Sequence, residues 1–228
     1  MKACEVIVTE RKTQLEACKA ELLKKFNDAV KQEKKIGLVG GDSSWQEYIR
    51  VTRAEGVGDK EASDIVRELL DQAGAKVVRG QSKKASEDLS AKVKDMIWDL
   101  RELTHEIRRI TKELTGRVRS LRYFTVVRDL QKQKDAPPSI SCPSCGRTDV
   151  PIDDIAVLSS CGHTGCYSCV KEHAEREECV YAGAGECRAA ARVLNIVRGN
   201  TLGVDDVERD GRGRHFGMKL EKVIQLIK

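Results

Sequence analysis

The sequence predicts a mainly α-helical fold: a helical bundle with a long helical stem, followed by a small, cysteine-rich α+β domain. Of the 228 residues, 34 % are charged and only 4 % aromatic, a composition that suits long, solvent-exposed helices better than one large core. Apolar residues recur at helical spacing before residue 133. Seven of the nine cysteines fall between Cys142 and Cys187, which marks a separate, compact unit.

The first helix is predicted over residues 4–34. Its apolar positions follow three-, four- and seven-residue steps, at Val8, Leu15, Cys18, Leu22, Phe26 and Val30. Ser44 and Glu47 form a capping box that predicts a short helix through residues 45–49. Asp59 is the expected N-cap of another helix, which carries Leu69 and Leu70 and stops near Gly74.

The longest helix is predicted from about Ser86 to about Lys132. An apolar a/d seam with heptad spacing indicates this helix, at Val93, Met96, Leu100, Leu103, Ile107, Ile110 and Leu114. Such a helix spans roughly 60–70 Å at 1.5 Å per residue. One narrow apolar seam needs a partner, and the first helix of the same chain is the nearest candidate.

Asp135-Ala136-Pro137-Pro138 stops the long helix and gives the clearest domain boundary. We therefore expect a helical bundle over 1–135, a cysteine-rich domain over 139–198 and a glycine-rich linker over 199–216. Residues 217–228 read as the start of a further helix without a C-cap signal. This ending is expected of a fragment from a longer protein.

The cysteines and one histidine have the spacing of metal ligands. Two Cys-x2-Cys pairs frame a Cys-x-His step, and two further cysteines follow; the full set is Cys142, Cys145, Cys161, His163, Cys166, Cys169, Cys179 and Cys187. Eight thiolate and imidazole ligands suffice for two tetrahedral zinc sites, which are structural when all four ligands come from the protein. The odd number of cysteines and the lack of an apolar secretory signal favour metal over disulfides.

The order of three cysteines, one histidine and four cysteines resembles a RING finger. The resemblance implies a cross-brace, in which Cys142, Cys145, Cys166 and Cys169 hold one zinc ion. The other ion is then held by Cys161, His163, Cys179 and Cys187. The last pair departs from the RING pattern, because seven residues separate Cys179 from Cys187. An alternative is that His173 replaces Cys179.

RING fingers recruit a ubiquitin-conjugating enzyme through a shallow apolar groove, so the resemblance implies a ubiquitin-ligase module without catalytic residues of its own. Ser144 and His173 occupy two positions that are usually apolar in this groove. Arg188 follows the last ligand, where the family commonly has a residue that contacts ubiquitin. The alternative is a RING kept as a scaffold.

The flanking segments resemble parts of Swi/Snf-type helicases. GMKLEKVIQLIK at 217–228 resembles the opening of the second ATPase lobe, and RSLRYFTVVRDLQ at 119–131 resembles the helix before the RING in the SHPRH-like group. The resemblance implies a nuclear protein in which the RING is inserted between the ATPase lobes. The alternative is a non-catalytic insertion that couples the ATPase to another domain, for example a DNA methyltransferase, or to DNA or nucleosomes. No phosphate-binding GxxxxGK[ST] motif is present, so no ATPase site is expected in this segment.

Net charge is +5, and the positive excess lies before residue 136. The end of the long helix is the most basic region, with candidate nucleic-acid contacts at Arg108, Arg109, Lys112, Arg117, Arg119 and Arg122. These residues predict weak binding to the phosphates of DNA or a nucleosome. The alternative is an ordinary solvated helix face. The apolar runs are only a few residues long, so no membrane partner is expected.

Overall fold

The computed structural model describes residues 2–36, 57–74, 91–132 and 140–202. The described residues form long helices, a small three-stranded sheet and a cysteine cluster, which confirms the predicted combination of helices with a small cysteine-rich domain. The short helix predicted over 45–49 and the segment 217–228 lie outside the described residues. No helix in the described ranges is long and apolar enough to cross a membrane.

Two long helices form an antiparallel pair. Helix α1 comprises Lys2–Ile36 and helix α3 comprises Ala91–Lys132, which is 42 residues or about 63 Å. Lys132 near the end of α3 forms an ion pair of 2.8 Å with Glu5 near the start of α1. The predicted partnership between the first and the longest helix is therefore what the structure has.

The interface between the two helices is the main apolar core. Most of the predicted seam is buried there, together with the apolar face of α1; the buried members are Leu15, Cys18, Leu22, Phe26, Ala29, Leu100, Ile107, Ile110, Leu114 and Val118. Met96 and Leu103, which also belong to the seam, are half-buried. Thr111 and Thr115 are buried among them, and each hydroxyl donates to the carbonyl four residues earlier, so both hydroxyls are paired.

Helix α2 comprises Lys60–Gln72 and packs on the same core through Ala62, Val66, Leu69 and Leu70. Asp59 is its N-cap, as the sequence predicts, and its carboxylate accepts from the backbone N–H of Ala62. The cap satisfies one of the helix's free amide groups, which fixes the point at which α2 starts.

The cysteine-rich domain contains a three-stranded antiparallel sheet in the order β2-β1-β3. Strand β1 comprises Ile155–Leu158, β2 comprises Thr164–Cys166 and β3 comprises Ile196–Arg198. Helix α4 comprises Tyr167–Glu175. It ends shortly before Glu177, where the backbone turns into the left-handed region. The single-turn helix α5, Gly199–Leu202, follows β3.

The central strand β1 separates two small cores. All four of its residues are buried, and their side chains alternate between the two faces. Ala156 and Leu158 pack with Cys161, Cys179 and Cys187. Ile155 and Val157, on the other face, pack with Cys142 and Cys166 and also with Leu130 of α3. The sheet thus places one group of cysteines on each side and attaches the domain to the long helix.

Candidate metal centres

The first group consists of Cys142, Cys145, Cys166 and Cys169. Their four Sγ atoms all lie within 4.8 Å of one another, so the group could hold a metal ion. The Sγ of Cys166 lies 3.6 Å from that of Cys142 and 3.7 Å from that of Cys145. These separations are far beyond the length of about 2.05 Å of a disulfide, so the sulfur atoms are neighbours without being bonded.

The second group consists of Cys161, His163, Cys179 and Cys187. One ligand atom from each residue lies within 4.8 Å of the others, so this group could also hold a metal ion. The Sγ of Cys179 is 3.6 Å from that of Cys161 and 3.4 Å from Nδ1 of His163. The His163 ring stacks on Tyr181 with centroids 4.4 Å apart, which holds the imidazole with Nδ1 facing the sulfur atoms.

These distances suit tetrahedral coordination. With metal–sulfur bonds of about 2.3 Å, two ligands at tetrahedral corners lie about 3.8 Å apart, and a sulfur and a nitrogen about 3.5 Å apart. The observed separations of 3.4–3.7 Å are close to those edges in both groups. The side chains are therefore already arranged around two points at which an ion would fit.

A tight turn and a helix start supply the first group. Cys142 and Cys145 flank a turn closed by the N–H of Gly146, which donates to the carbonyl of Cys142 at 2.9 Å. Gly146 has φ of +69°, a conformation that glycine adopts without strain. Cys166 ends β2, and Cys169 lies in the first turn of α4. The helix start therefore faces the turn with two more thiols.

Another turn and a folded loop supply the second group. Cys161 and His163 lie between β1 and β2, where the N–H of Gly162 donates to the carbonyl of Leu158 at 2.7 Å. The loop between Cys179 and Cys187 contains successive turns, including a 2.8 Å hydrogen bond from the N–H of Ala182 to the carbonyl of Cys179. These turns bring the last two sulfurs to one point despite their unusual spacing.

The surroundings of Cys142 favour the thiolate form that metals bind. Burial raises the pKa of Cys142, but backbone amides of Cys145, Cys166 and Ser144 stabilise its Sγ and lower that pKa to about 6. Amide groups aimed at sulfur stabilise negative charge without supplying a counter-ion. A cation at the centre of the group would provide that missing charge.

The pKa values of the side chains in the second group differ widely, because their ligand atoms lie within 4.8 Å of one another. Hydrogen bonds from Cys161 and then Cys179 hold the pKa of Cys187 far below its usual value. Contacts with Cys161 and Cys187 raise the pKa of Cys179. Burial of His163 opposes its charge, but hydrogen bonds with Cys161 and Cys187 raise its pKa to about 9. Crowded thiolates of this kind attract a positive ion.

The structure separates the two alternatives for the last ligand pair. Cys179 lies with Cys161, His163 and Cys187 in the second group. His173 lies elsewhere: its Nε2 is 3.2 Å from Oγ of Ser144, beside the first group.

Arg188 lies next to the helical bundle. Its backbone N–H donates to the carbonyl of Gly58 at 2.8 Å, in the segment that leads into α2. Asp59 and Cys187 form an isolated antiparallel bridge at the same place. The loop that carries the last ligand is therefore paired with the start of α2.

Most of the candidate nucleic-acid contacts point inward or along the bundle. Arg117 donates to Glu113 at 2.6 Å, and Arg109 forms ion pairs with Glu21 and Glu113. Arg119 and Arg122 both contact Asp59. Arg108 and Lys112 are exposed on α3. Arg109, Arg117, Arg119 and Arg122 thus contact acidic residues within the chain.

The sequence alone gives no indication that two further residues, Asp59 and Arg122, lie beside the second group. Asp59 was predicted only as a helix cap, and Arg122 only as a nucleic-acid contact. Arg122 Nη1 donates to the carbonyl of Cys161 at 2.9 Å and to Oδ2 of Asp59 at 3.1 Å. No local sequence signal links these positions, because the contact joins parts of the chain that are far apart in sequence.

Comparison with known proteins now gives a relative for the whole segment. The chain is 38 % identical over 242 aligned residues to the DNA (cytosine-5-)-methyltransferase DMT5 of Cryptococcus neoformans var. grubii. The alignment covers 99 % of this chain but 10 % of the relative. No protein-family model matches the chain.

This relative corrects the predicted function. The resemblance to RING fingers and Swi/Snf-type helicases predicts a ubiquitin-ligase RING of a Swi/Snf-type ATPase. The relative, similar over almost the entire chain, is a DNA cytosine methyltransferase, so the ubiquitin-ligase prediction is wrong. The predicted contact of Arg188 with ubiquitin loses its basis with it. The alternative function is a non-catalytic insertion that couples the ATPase to another domain, and a DNA methyltransferase is the example given for that domain.

Proposed function

We propose that the chain is a structural module of a DNA (cytosine-5)-methyltransferase-like protein, held together by two zinc ions and without an active site of its own. The observation that carries the proposal is the pair of closed four-ligand groups. Four protein ligands leave no coordination position for water or substrate, which is typical of structural zinc. The similarity to the methyltransferase over 99 % of the chain supports the choice of parent protein.

Zinc is the metal that best suits the ligands. Seven thiols and one imidazole form the two groups, and soft sulfur ligands in tetrahedral geometry favour zinc over the harder magnesium and calcium. Zinc binding contributes about 10–16 kcal/mol in finger peptides, enough to decide the folding of a domain with such small cores.

The interleaved order of the ligands supports a RING-type cross-brace for this domain. The first and third pairs along the chain share one group, and the second and fourth pairs share the other. Strand β1, buried on both faces, lies between them. We propose this topology as a scaffold, in which each ion holds together two distant parts of the chain.

The module would act as a rigid spacer within the methyltransferase. Helix α3, which pairs with α1, is about 63 Å long, and the sheet packs on its end through Leu130. A rod ending in a metal-stabilised domain can set the distance and angle between parts of a longer polypeptide. We propose a nuclear location, where the DNA substrate of such an enzyme lies.

The first experiment measures metal content. Elemental analysis of the purified chain is expected to give two zinc ions per molecule. Cys161→Ser, which removes a ligand, should lower this number, whereas Cys4→Ser, which changes a cysteine of α1 outside both groups, should leave it at two. One zinc or none in the unmodified chain would refute the proposal.

The second experiment tests the role in the parent protein. The full methyltransferase that carries this segment is compared with its Cys161→Ser and Cys4→Ser variants for incorporation of labelled methyl groups into DNA. We expect reduced incorporation only for Cys161→Ser, with the methyltransferase domain itself still folded. Equal activity of all three proteins would contradict a functional role for the module.

A further inference from the structure

A buried carboxylate lies between the helical bundle and the second group. The side chain of Asp59 has no exposed surface, although it precedes an otherwise half-exposed helix. A buried charge is costly unless paired charges and hydrogen bonds compensate it. The contacts of Asp59 therefore show how its buried charge is compensated.

Arg122 is the main partner of this carboxylate. Its Nη2 donates to Oδ1 of Asp59 at 2.9 Å and its Nη1 to Oδ2 at 3.1 Å, a bidentate arrangement. Glu61 accepts from the same guanidinium at 2.7 Å, and Arg119 lies 3.4 Å from Oδ2 of Asp59. Burial opposes the charge of Arg122, but these acidic partners outweigh it and raise the pKa of Arg122 above its usual value.

The same two residues contact two ligands of the second group. Arg122 Nη1 donates to the carbonyl of Cys161 at 2.9 Å. The backbone of Asp59 pairs with Cys187, and the neighbouring N–H of Lys60 donates to the carbonyl of Glu186 at 2.9 Å. The Asp59–Arg122 pair thus fixes the backbone of a ligand from each of the two segments that form the group.

Close packing at Gly162 strengthens this arrangement. A Cβ added to Gly162, between Cys161 and His163, would lie 2.5 Å from the backbone nitrogen of Tyr123 in α3. The ligand turn therefore rests directly on the helix, next to Arg122. In the first group, by contrast, the bundle contributes apolar packing through Leu130 and the half-buried Tyr123 and Val126.

We infer that Asp59 and Arg122 are positioning residues for the second metal ion, so that its affinity depends on the docked start of α2. The inference rests on the proposed metal sites. Partners that orient metal ligands typically change affinity by about 10- to 100-fold when they are mutated. The first ion, whose ligands do not touch this pair, keeps its affinity.

The test uses Asp59→Asn and Arg122→Gln in the whole chain. Asparagine is also a good N-cap, so Asp59→Asn keeps the start of α2 while removing the charge. The control is Arg109→Gln, which removes an arginine from the same helix that pairs with Glu21 and Glu113 away from the metal groups. Circular dichroism checks that every variant keeps its helices.

Affinity is measured by chelator competition on the zinc-loaded chain. Cadmium-113 NMR of the cadmium-loaded chain assigns the loss, because a site with four sulfurs and a site with three sulfurs and one nitrogen give separate signals. We expect Asp59→Asn and Arg122→Gln to lower the metal affinity of the second group by about 10- to 100-fold and to leave that of the first group unchanged. Arg109→Gln should match the unmodified chain.

Three outcomes separate the inference from its basis. If the unmodified chain binds fewer than two ions, the proposed metal sites themselves fail. If it binds two and the variants keep both affinities, or lose both equally, the positioning role is refuted. If Arg122→Gln does not fold, Asp59→Asn and the conservative Arg122→Lys decide, and the latter should weaken the second site because lysine cannot contact Asp59 and Cys161 together.

Discussion

Oγ of Ser144 lies 3.2 Å from Nε2 of His173, which joins the turn of the first ligand pair to helix α4. Ser144 also hydrogen-bonds to Cys169, a ligand of the first group. Ser144 and His173, at the two positions where a RING finger usually has apolar side chains, thus contact each other, and Ser144 also contacts a ligand. This polar contact favours a structural role for the surface that Ser144 and His173 form.

Loss of this link should weaken the first group modestly. Ser144→Ala removes the hydroxyl that contacts both His173 and Cys169, and we expect the free energy of unfolding to fall by about 0.5–1.5 kcal/mol. Thermal unfolding of the zinc-loaded chain measures the effect. The exposed Ser159 provides a control, because Ser159→Ala should change little. An equal effect of the two variants would argue against the link.

Leu130 should be the apolar residue of α3 on which docking of the small domain depends most. It is 1 % exposed and packs with Cys142, Val150 and Ile155. Leu130→Ala leaves a cavity and should lower the free energy of unfolding by about 2–5 kcal/mol in urea titrations. Leu194, which is 94 % exposed, is the matched control, and Leu194→Ala should stay within about 0.5 kcal/mol.

Two glycine-to-alanine variants should have opposite effects. Gly162 has φ of +77°, and its added methyl group would overlap the backbone of Tyr123. We expect Gly162→Ala to lower the free energy of unfolding by about 2–4 kcal/mol, through left-handed strain and overpacking. Gly116 lies in α3 with open space around it, so Gly116→Ala should raise that free energy by about 1 kcal/mol. Denaturant unfolding of both variants checks the signs.

Metal removal should separate the small domain from the bundle. Five of the eight candidate ligands are buried members of the two small cores of residues 140–202, whereas α1 and α3 share an apolar core that includes Phe26 and Ile107. Circular dichroism measures both parts. A strong chelator should abolish the near-ultraviolet signal of Tyr181, which stacks on His163, and leave most of the far-ultraviolet helical signal. Complete loss of helicity would show that the bundle cannot stand without the metal-bound domain.

DNA binding by the isolated chain should be weak and sensitive to salt. Arg109, Arg117, Arg119 and Arg122 form ion pairs within the chain, so few of the predicted basic side chains can neutralise phosphates. Fluorescence anisotropy with a short duplex should show affinity that falls steeply as salt rises. Lys112→Gln should weaken it further. Tight binding that persists at high salt would be inconsistent with this expectation.

Local patterns in the sequence predicted much of this protein. Apolar spacing located α1 and α3, because a helix buries one face at every third or fourth residue. Asp59 marked the start of α2, and the spacing of cysteines and histidine identified the eight side chains that form two groups able to hold a metal ion. Each of these signals lies within a few residues along the chain, where backbone geometry alone relates one position to the next.

Contacts between distant segments depended on the tertiary structure. The sequence placed Arg122 on a basic helix face, yet the fold directs its side chain to Asp59, 63 positions away, and to the carbonyl of Cys161. Likewise, only the turns within 179–187 bring the sulfurs of Cys179 and Cys187 together. Charge and spacing can be read from the sequence. Which residues become partners depends on the fold, because a buried charge is costly unless an opposite charge lies beside it.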